Sequence, residues 1–224
     1  MEDIRGYHNL VKRQLIQSAT QPGSSALDVG CGFGGDLQKW AHTGVRTLDM
    51  CDPSAEALVE AKSRASKMKG VTPTFYHGDI LTCPTNKKYD VICYNFSLHY
   101  IFENYKLFKN SIRAIKDRLR PGGKLIGVIP DSESVLMGTP FHDPLGNFMI
   151  RKDDTGYGNF GEKLFVNLVD TPFYADGAKA EPIAYKDLLV TELWEQGIEI
   201  ESWQSLTGNP LSKMYSQFIF IRKD

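Results

Sequence analysis

The spacing of apolar and polar positions changes along the 224-residue chain, and each change marks an element. From Tyr7 to about Ser18 the apolar residues Tyr7, Leu10, Val11 and Leu15 recur at helical spacing, and Gln21-Pro22-Gly23-Ser24 stops the helix. Ala26-Leu27-Asp28-Val29 predicts a short strand running into a glycine-rich turn, with a helix over Asp36–Ala41 behind it. A second strand is predicted over Arg46–Cys51. An amphipathic helix follows over Ala55 to about Lys69, with Leu58, Val59, Ala65 and Met68 on one face and Ser54 as N-cap. Strands over Thr74–His77 and Tyr89–Phe96 precede a helix over Asn104–Leu119. Pro121-Gly122-Gly123 predicts a turn into the apolar strand Leu125–Ile129. Residues 131–180, rich in Gly, Pro, Asp and Asn, break the alternation and predict an insertion or lid over the sheet edge. A helix over Leu188–Glu195 and two strands, about Glu199–Trp203 and Tyr215–Arg222, close the chain, the last two expected to be antiparallel.

Strands alternating with helices imply right-handed βαβ units. The expected fold is therefore α/β and Rossmann-like, a mostly parallel seven-stranded sheet with an antiparallel last strand and helices on both faces. The length suits one domain over residues 1–224, with about 131–180 as its substrate-side insertion.

Composition narrows this picture. Apolar residues make up 42% of the chain, enough for a sizeable core. No apolar run approaches the roughly 18 residues of a membrane span, so no membrane partner is expected. Met1-Glu2-Asp3-Ile4-Arg5 does not read as a signal peptide, since no apolar stretch follows it. Cys31, Cys51, Cys83 and Cys93 form no CxxC pair and read as reduced thiols of an intracellular protein. A net charge of −1 argues against binding long nucleic acid by charge alone, though not against recognising one nucleotide at an RNA end. Lys12, Arg13, Lys39, Arg151 and Lys152 are candidates for a local basic rim; for all but Lys12, scattered surface charge is the simpler reading. No metal-ligand cluster is visible.

The most informative stretch is Leu27-Asp28-Val29-Gly30-Cys31-Gly32-Phe33-Gly34-Gly35-Asp36. Gly30 and Gly32 at a strand end let the backbone turn tightly against a ligand. Dinucleotide enzymes use similar loops, but the GxGxxG spacing for pyrophosphate is lacking, and Asp28 beside the loop suits a ligand bearing ammonium and sulfonium groups. Asp52 ends the second strand, where a carboxylate can accept from both ribose hydroxyls. Asp79 follows the third, beside Ile80, where it can accept from an adenine amino group. Each aspartate alone is equally a cap or turn residue; three acids at three successive strand ends point to one nucleoside site. The set resembles the class I S-adenosylmethionine methyltransferases over about residues 24–130, which implies S-adenosylmethionine as cofactor, with Asp28, Gly30, Gly32, Asp36, Asp52, Asp79 and Ile80 around it.

Further segments are similar to the mRNA cap guanine-N7 methyltransferases. Gly30 to Trp40 resembles that family's GCGKGGDLxKW, with Phe33 where the family carries lysine. Tyr7-His8-Asn9-Leu10-Val11-Lys12 is similar to FNNWxK, which implies that Lys12 holds the methionine carboxylate and Asn9 the cap. Asn95 to Glu103 resembles QFxxHYxFE. By that likeness Asn95, Phe96 and Tyr100 border the cofactor, and His99 and Tyr100 line the guanine pocket. Phe160 to Leu168 is similar to FGxKYxFxL. Glu181-Pro182-Ile183-Ala184-Tyr185 resembles PEFLVY, whose glutamate binds guanine, although Val169-Asp170 lies about ten residues before Glu181, farther than the family usually has it. Tyr215 resembles the final-strand tyrosine beside the cap.

The resemblance implies methyl transfer to guanine N7 of a 5′-capped RNA. No residue is expected to act as acid or base, with Glu181 and Tyr100 in support. The pattern is most similar to the methyltransferase domain of a larger capping enzyme of a large cytoplasmic DNA virus of the African swine fever virus kind. Other capping domains or subunits are then expected partners, in a cytoplasmic setting (virion included, nucleus left open). A small-molecule methyltransferase on the same fold and a non-catalytic capping subunit are the alternatives. A dehydrogenase lacks its glycine spacing here, and no KxDG motif supports guanylyltransferase activity.

Overall fold

A computed structural model describes residues 4–84, 86–138, 141–142, 148–153, 159–168 and 174–224. Val169-Asp170 and the first three residues lie outside these, as do the side chains of Arg151 and Lys152.

The first helix, α1, runs Ile4–Ala19 and buries Val11, Leu15, Ile16 and Ala19. Then follow β1 (Ser25–Val29), α2 (Leu37–Ala41), β2 (Thr47–Asp52), α3 (Ala55–Ala65), β3 (Thr74–His77) and β4 (Tyr89–Asn95). The Ser54 side chain accepts from Ala57 N at 3.1 Å, the expected N-cap. The helix ends at Ala65 rather than near Lys69, and Met68 packs on the core from the following turn. A 3-10 helix over Leu98–Glu103 leads into α4 (Tyr105–Arg118), capped by Asn104 accepting from Leu107 N. The strand β5 spans Leu119–Pro130, so Pro121-Gly122-Gly123 lies within it instead of preceding it. Register shifts opposite Tyr89–Val91, where the extra residues are taken up.

The chain ends with α6 (Lys186–Glu195), β10 (Ile198–Ser205) and β11 (Tyr215–Arg222). These complete a seven-stranded sheet in the order β10-β11-β5-β4-β1-β2-β3, in which β11 runs antiparallel to both neighbours. The other pairs are parallel, as the strand–helix alternation predicts. Successive strand residues feed opposite faces. Ala26, Ile126 and Val128 join α1 and Trp40 on one side, and Leu27, Leu125 and Ile129 join α4 and α6 on the other.

Residues 131–180 are more regular than expected. They contain α5 (Ser132–Gly138), β6 (Phe141–His142), β7 (Phe148–Asp153), β8 (Lys163–Leu168) and the start of β9 (Lys179–Pro182), and the four strands pair as an antiparallel sheet. Leu164, Val166 and Ile183 plug this small sheet into the core on the α1 side. Phe160 stacks on Phe102 and meets Phe108 and Tyr105, while Lys163 pairs with Glu103 at 2.9 Å. Polar loop composition hid strands such as β8, in which Leu164 and Val166 are buried between half-buried neighbours. Among the described residues no helix is long and apolar enough to cross a membrane.

Candidate active site

The parallel strands bring their carboxyl ends together, and the predicted residues collect there. Two turns of backbone make the floor. Gly30 and Gly32 both have positive φ, 75° and 51°. A Cβ on Gly30 would sit 2.4 Å from Ser97 Cβ, whereas one on Gly32 would point into open space. The first glycine serves the packing of β1 on β4; the second leaves a bare surface for a ligand. Asp52 closes this turn, its Oδ2 accepting from Gly32 N at 2.7 Å and its Oδ1 from Ser54 N at 2.8 Å. Asp79 similarly accepts from Leu81 N at 2.8 Å, and the neighbouring Ile80 is buried. Both acids are thus turn residues, and each oriented carboxylate retains acceptor capacity toward the cleft.

Beneath the loop lies a buried polar network. Asp28 accepts from Trp40 Nε1 at 2.9 Å. Burial, reinforced by the charge of Asp36, pushes the Asp28 carboxyl up to about 7. Asp36 is 2.8 Å from Lys12 Nζ and 2.7 Å from Lys39 Nζ, and accepts from Asn95 Nδ2 at 2.8 Å. Burial opposes its charge, but the two lysines outweigh burial and hold it at about 2. Lys39, read from the sequence as surface charge, is buried here. Arg13 is exposed as expected. Asn95 Oδ1 is buried without a hydrogen-bond partner among the described residues. An open glycine face, orphaned Asn95 Oδ1, a partly exposed Lys12 and acids at the ends of β2 and β3 fit a nucleoside carrying an amino-acid tail.

Phe96 leaves β4 in the left-handed region with φ 60°, a strained conformation for a side chain of its size. Its ring lies 5.3 Å from Tyr215 and 5.4 Å from His8, with Lys12 Nζ 5.9 Å from its centre. The α1 residue in this aromatic group is His8, a residue missed from sequence. Asn9 faces the loop side, where its Oδ1 accepts from Lys39 at 3.0 Å. His8 Nε2 lies 3.0 Å from Ser212 Oγ; burial, then the charge of Lys12, lowers its pKa to about 4, so the ring is neutral near neutral pH.

Glu181 completes the other wall. It is 4% exposed, with Oε2 3.1 Å from His99 Nε2. Tyr174 donates to Oε1, and the ring of Tyr100 lies 4.3 Å from that of His99. Burial works to raise the Glu181 pKa, but His99, Tyr174 and Tyr100 outweigh it and the net shift is downward. Burial, then the Glu181 charge, pushes the Tyr100 and Tyr215 phenols up, so both stay protonated. Tyr174 was not legible in sequence, since no motif contains it. Among the described residues no group of three or more metal-binding side chains occurs.

A sheet of this strand order, with a glycine turn and acids at adjoining strand ends, defines a class I S-adenosylmethionine-dependent methyltransferase. The structure is similar to that of an S-adenosylmethionine-dependent methyltransferase from Clostridium acetobutylicum, with a TM-score of 0.67 over 99% of this chain and 93% of that one at 14% identity. Residues 2–166 match the mRNA (guanine-N(7))-methyltransferase domain, and the chain belongs to that family. It is 31% identical over 170 residues to the mRNA cap guanine-N(7) methyltransferase of Cryptococcus neoformans, covering 70% of this chain and 26% of that protein. The Saccharomyces cerevisiae mRNA cap guanine-N(7) methyltransferase is 30% identical over 144 residues, covering 59% of this chain and 33% of the yeast protein. The chain thus spans about a quarter to a third of the length of these two relatives. Glu181 and Tyr215 fall outside the family match.

Proposed function

We propose that the chain methylates N7 of the terminal guanine of a 5′-capped RNA. The observation that carries this reading is the buried Glu181 carboxylate, held by His99 and Tyr174 on the wall across from the glycine turn. Bound S-adenosylmethionine supplies a methyl group already activated on a sulfonium. Lys12 holds its carboxylate, Asp52 accepts from the ribose hydroxyls, Asp79 accepts from the adenine amino group, and Asn95 and Phe96 border the methionine portion. Asp28 and Asp36 support this surface from below.

Guanine N7 carries an in-plane lone pair and no proton, so no side chain has to remove one. The residues have only to orient the base and favour the charge it acquires. Glu181, ionised at neutral pH, accepts from guanine N1 and N2, an attraction that strengthens as the base turns cationic. Tyr100, Tyr215 and His99 bracket the ring.

The test is transfer from labelled cofactor to GpppA-capped RNA, with the product digested to locate the methyl group. N7-methylguanine is expected. Transfer to small amines or phenols in preference to the cap refutes the substrate reading. Cofactor binding without transfer to any of them favours a non-catalytic subunit.

We further propose that residues 1–224 act as one methyltransferase domain alongside other capping domains or subunits. A cytoplasmic setting is consistent with four unpaired cysteines. The narrower assignment to a large DNA virus of the African swine fever virus kind rests on sequence resemblance alone.

A further inference from the structure

Two lysines face a single buried carboxylate under the glycine loop, and they do not have equal freedom. Lys39 is 5% exposed; its ammonium donates to Gly35 O at 2.8 Å and Asn9 Oδ1 at 3.0 Å and forms an ion pair with Asp36 Oδ1 at 2.7 Å. Lys12 is 15% exposed; its ammonium forms an ion pair with Asp36 Oδ1 at 2.8 Å and lies 5.9 Å from the centre of the Phe96 ring. The other carboxylate oxygen of Asp36 is occupied by Asn95. Two cations and one strongly ionised acid leave one positive charge, and Lys12 is the member that borders the cleft. Asp28, the neighbouring acid, is tied to Trp40 instead.

We propose that Lys39 is a positioning residue that neutralises Asp36 and thereby frees the charge of Lys12 for the carboxylate of the bound amino-acid tail. Without Lys39, Lys12 is the sole cation left for a buried anion that cannot remain unpaired, and it is held there. The same side chain ties Asn9 of α1 to the loop carbonyl of Gly35, so it also fixes the distance from which Lys12 reaches the cleft. The inference rests on the proposed role of Lys12.

Calorimetry with two ligands separates the possibilities: S-adenosylhomocysteine, which bears the carboxylate, and 5′-methylthioadenosine, which lacks the amino-acid tail. Lys12→Met should weaken the first about tenfold or more and leave the second within about twofold, as loss of one charge-assisted contact implies. Equal effects on both ligands would remove the Lys12 reading and the inference with it. Lys39→Met should reproduce the selective loss although Lys39 is not in the cleft, and Lys39→Met with Asp36→Asn should restore affinity. If Lys12→Met is selective while Lys39→Met weakens both ligands equally, or neither, Lys39 is only structural and the inference fails. Should Lys39→Met not fold, Lys39→Gln, which keeps an N–H donor toward Asn9 and Asp36 but carries no charge, decides with the same two ligands: selective loss of S-adenosylhomocysteine supports the proposal, and equal loss or no loss overturns it.

Discussion

Replacing Glu181 by glutamine keeps the side-chain volume and removes the charge on which the guanine reading depends. The carboxylate is buried, with Oε2 3.1 Å from His99 Nε2 and Oε1 accepting from Tyr174. An ionised carboxylate has about four acceptor sites, so it can hold these donors and still receive two N–H groups from a base edge. The amide of Glu181→Gln has one acceptor oxygen and one donor nitrogen. Its nitrogen must face either Tyr174 or His99, donor against donor, unless one of them turns a lone pair toward it. The substrate then finds at most one acceptor where two N–H groups arrive. A hydrogen bond to a charged group contributes about 1.5–3 kcal/mol. At about 1.4 kcal/mol per tenfold in rate, kcat/KM for capped RNA should fall roughly 10- to 150-fold. Cofactor affinity should hold, because Glu181 lies on the opposite wall from the glycine turn. The assay is initial-rate methyl transfer to GpppA-RNA, paired with calorimetry of S-adenosylhomocysteine. A kcat/KM within about threefold of the parent, with cofactor binding intact, would refute the guanine-edge role. A matching loss of cofactor affinity would instead mean that the wall had collapsed.

Other outcomes follow from the strand ends. Asp52→Ala removes the acceptor for Gly32 N and Ser54 N as well as the proposed ribose contacts, and S-adenosylhomocysteine affinity should drop about 100-fold or more by calorimetry; unchanged affinity defeats the assignment. Gly30→Ala sets a Cβ 2.4 Å from Ser97 Cβ at a φ of 75° and should cost about 1–3 kcal/mol in thermal unfolding. Adding Ser97→Gly should relieve the clash but not the backbone strain. Asp28 has its pKa raised to about 7, so the folded chain binds a proton that the unfolded chain has lost above about pH 4. Its contribution therefore declines as pH rises from about 4 to 7. Asp28→Asn, measured without ligand, should raise Tm more at pH 8 than at pH 5, and equal shifts at both would argue against the buried acid.

The main sheet was legible because its strands are apolar runs punctuated by Gly, Pro and Asp, with Asp52 ending one strand and Asp79 two residues past the next. The glycine turn and the His99-Tyr100 pair were legible as motifs. What escaped is long-range or locally ambiguous. The strands at Phe148–Asp153 and Lys163–Leu168 lie amid loop-like composition, and their pairing depends on partners that no local period reveals. Lys39 follows Gln38 as an unremarkable charge, and only the fold directs it inward onto Asp36. His8 and Asn9 are adjacent, so the helix turns them to different sides. Which of them meets Phe96 depends on how α1 docks. Tyr174 lies in a segment with no motif and acquires its role only through Glu181.

The wall bearing Glu181 belongs to the small antiparallel sheet, whereas the glycine turn and its acids belong to the large one. In the proposed reaction, donor and acceptor are thus held by separate pieces of architecture, which meet at His99 and Glu181. Variation within the small sheet can retarget the reaction to another nucleophile while the donor side stays as it is. The same fold can in this way diversify its acceptors without reinventing how it carries a methyl group.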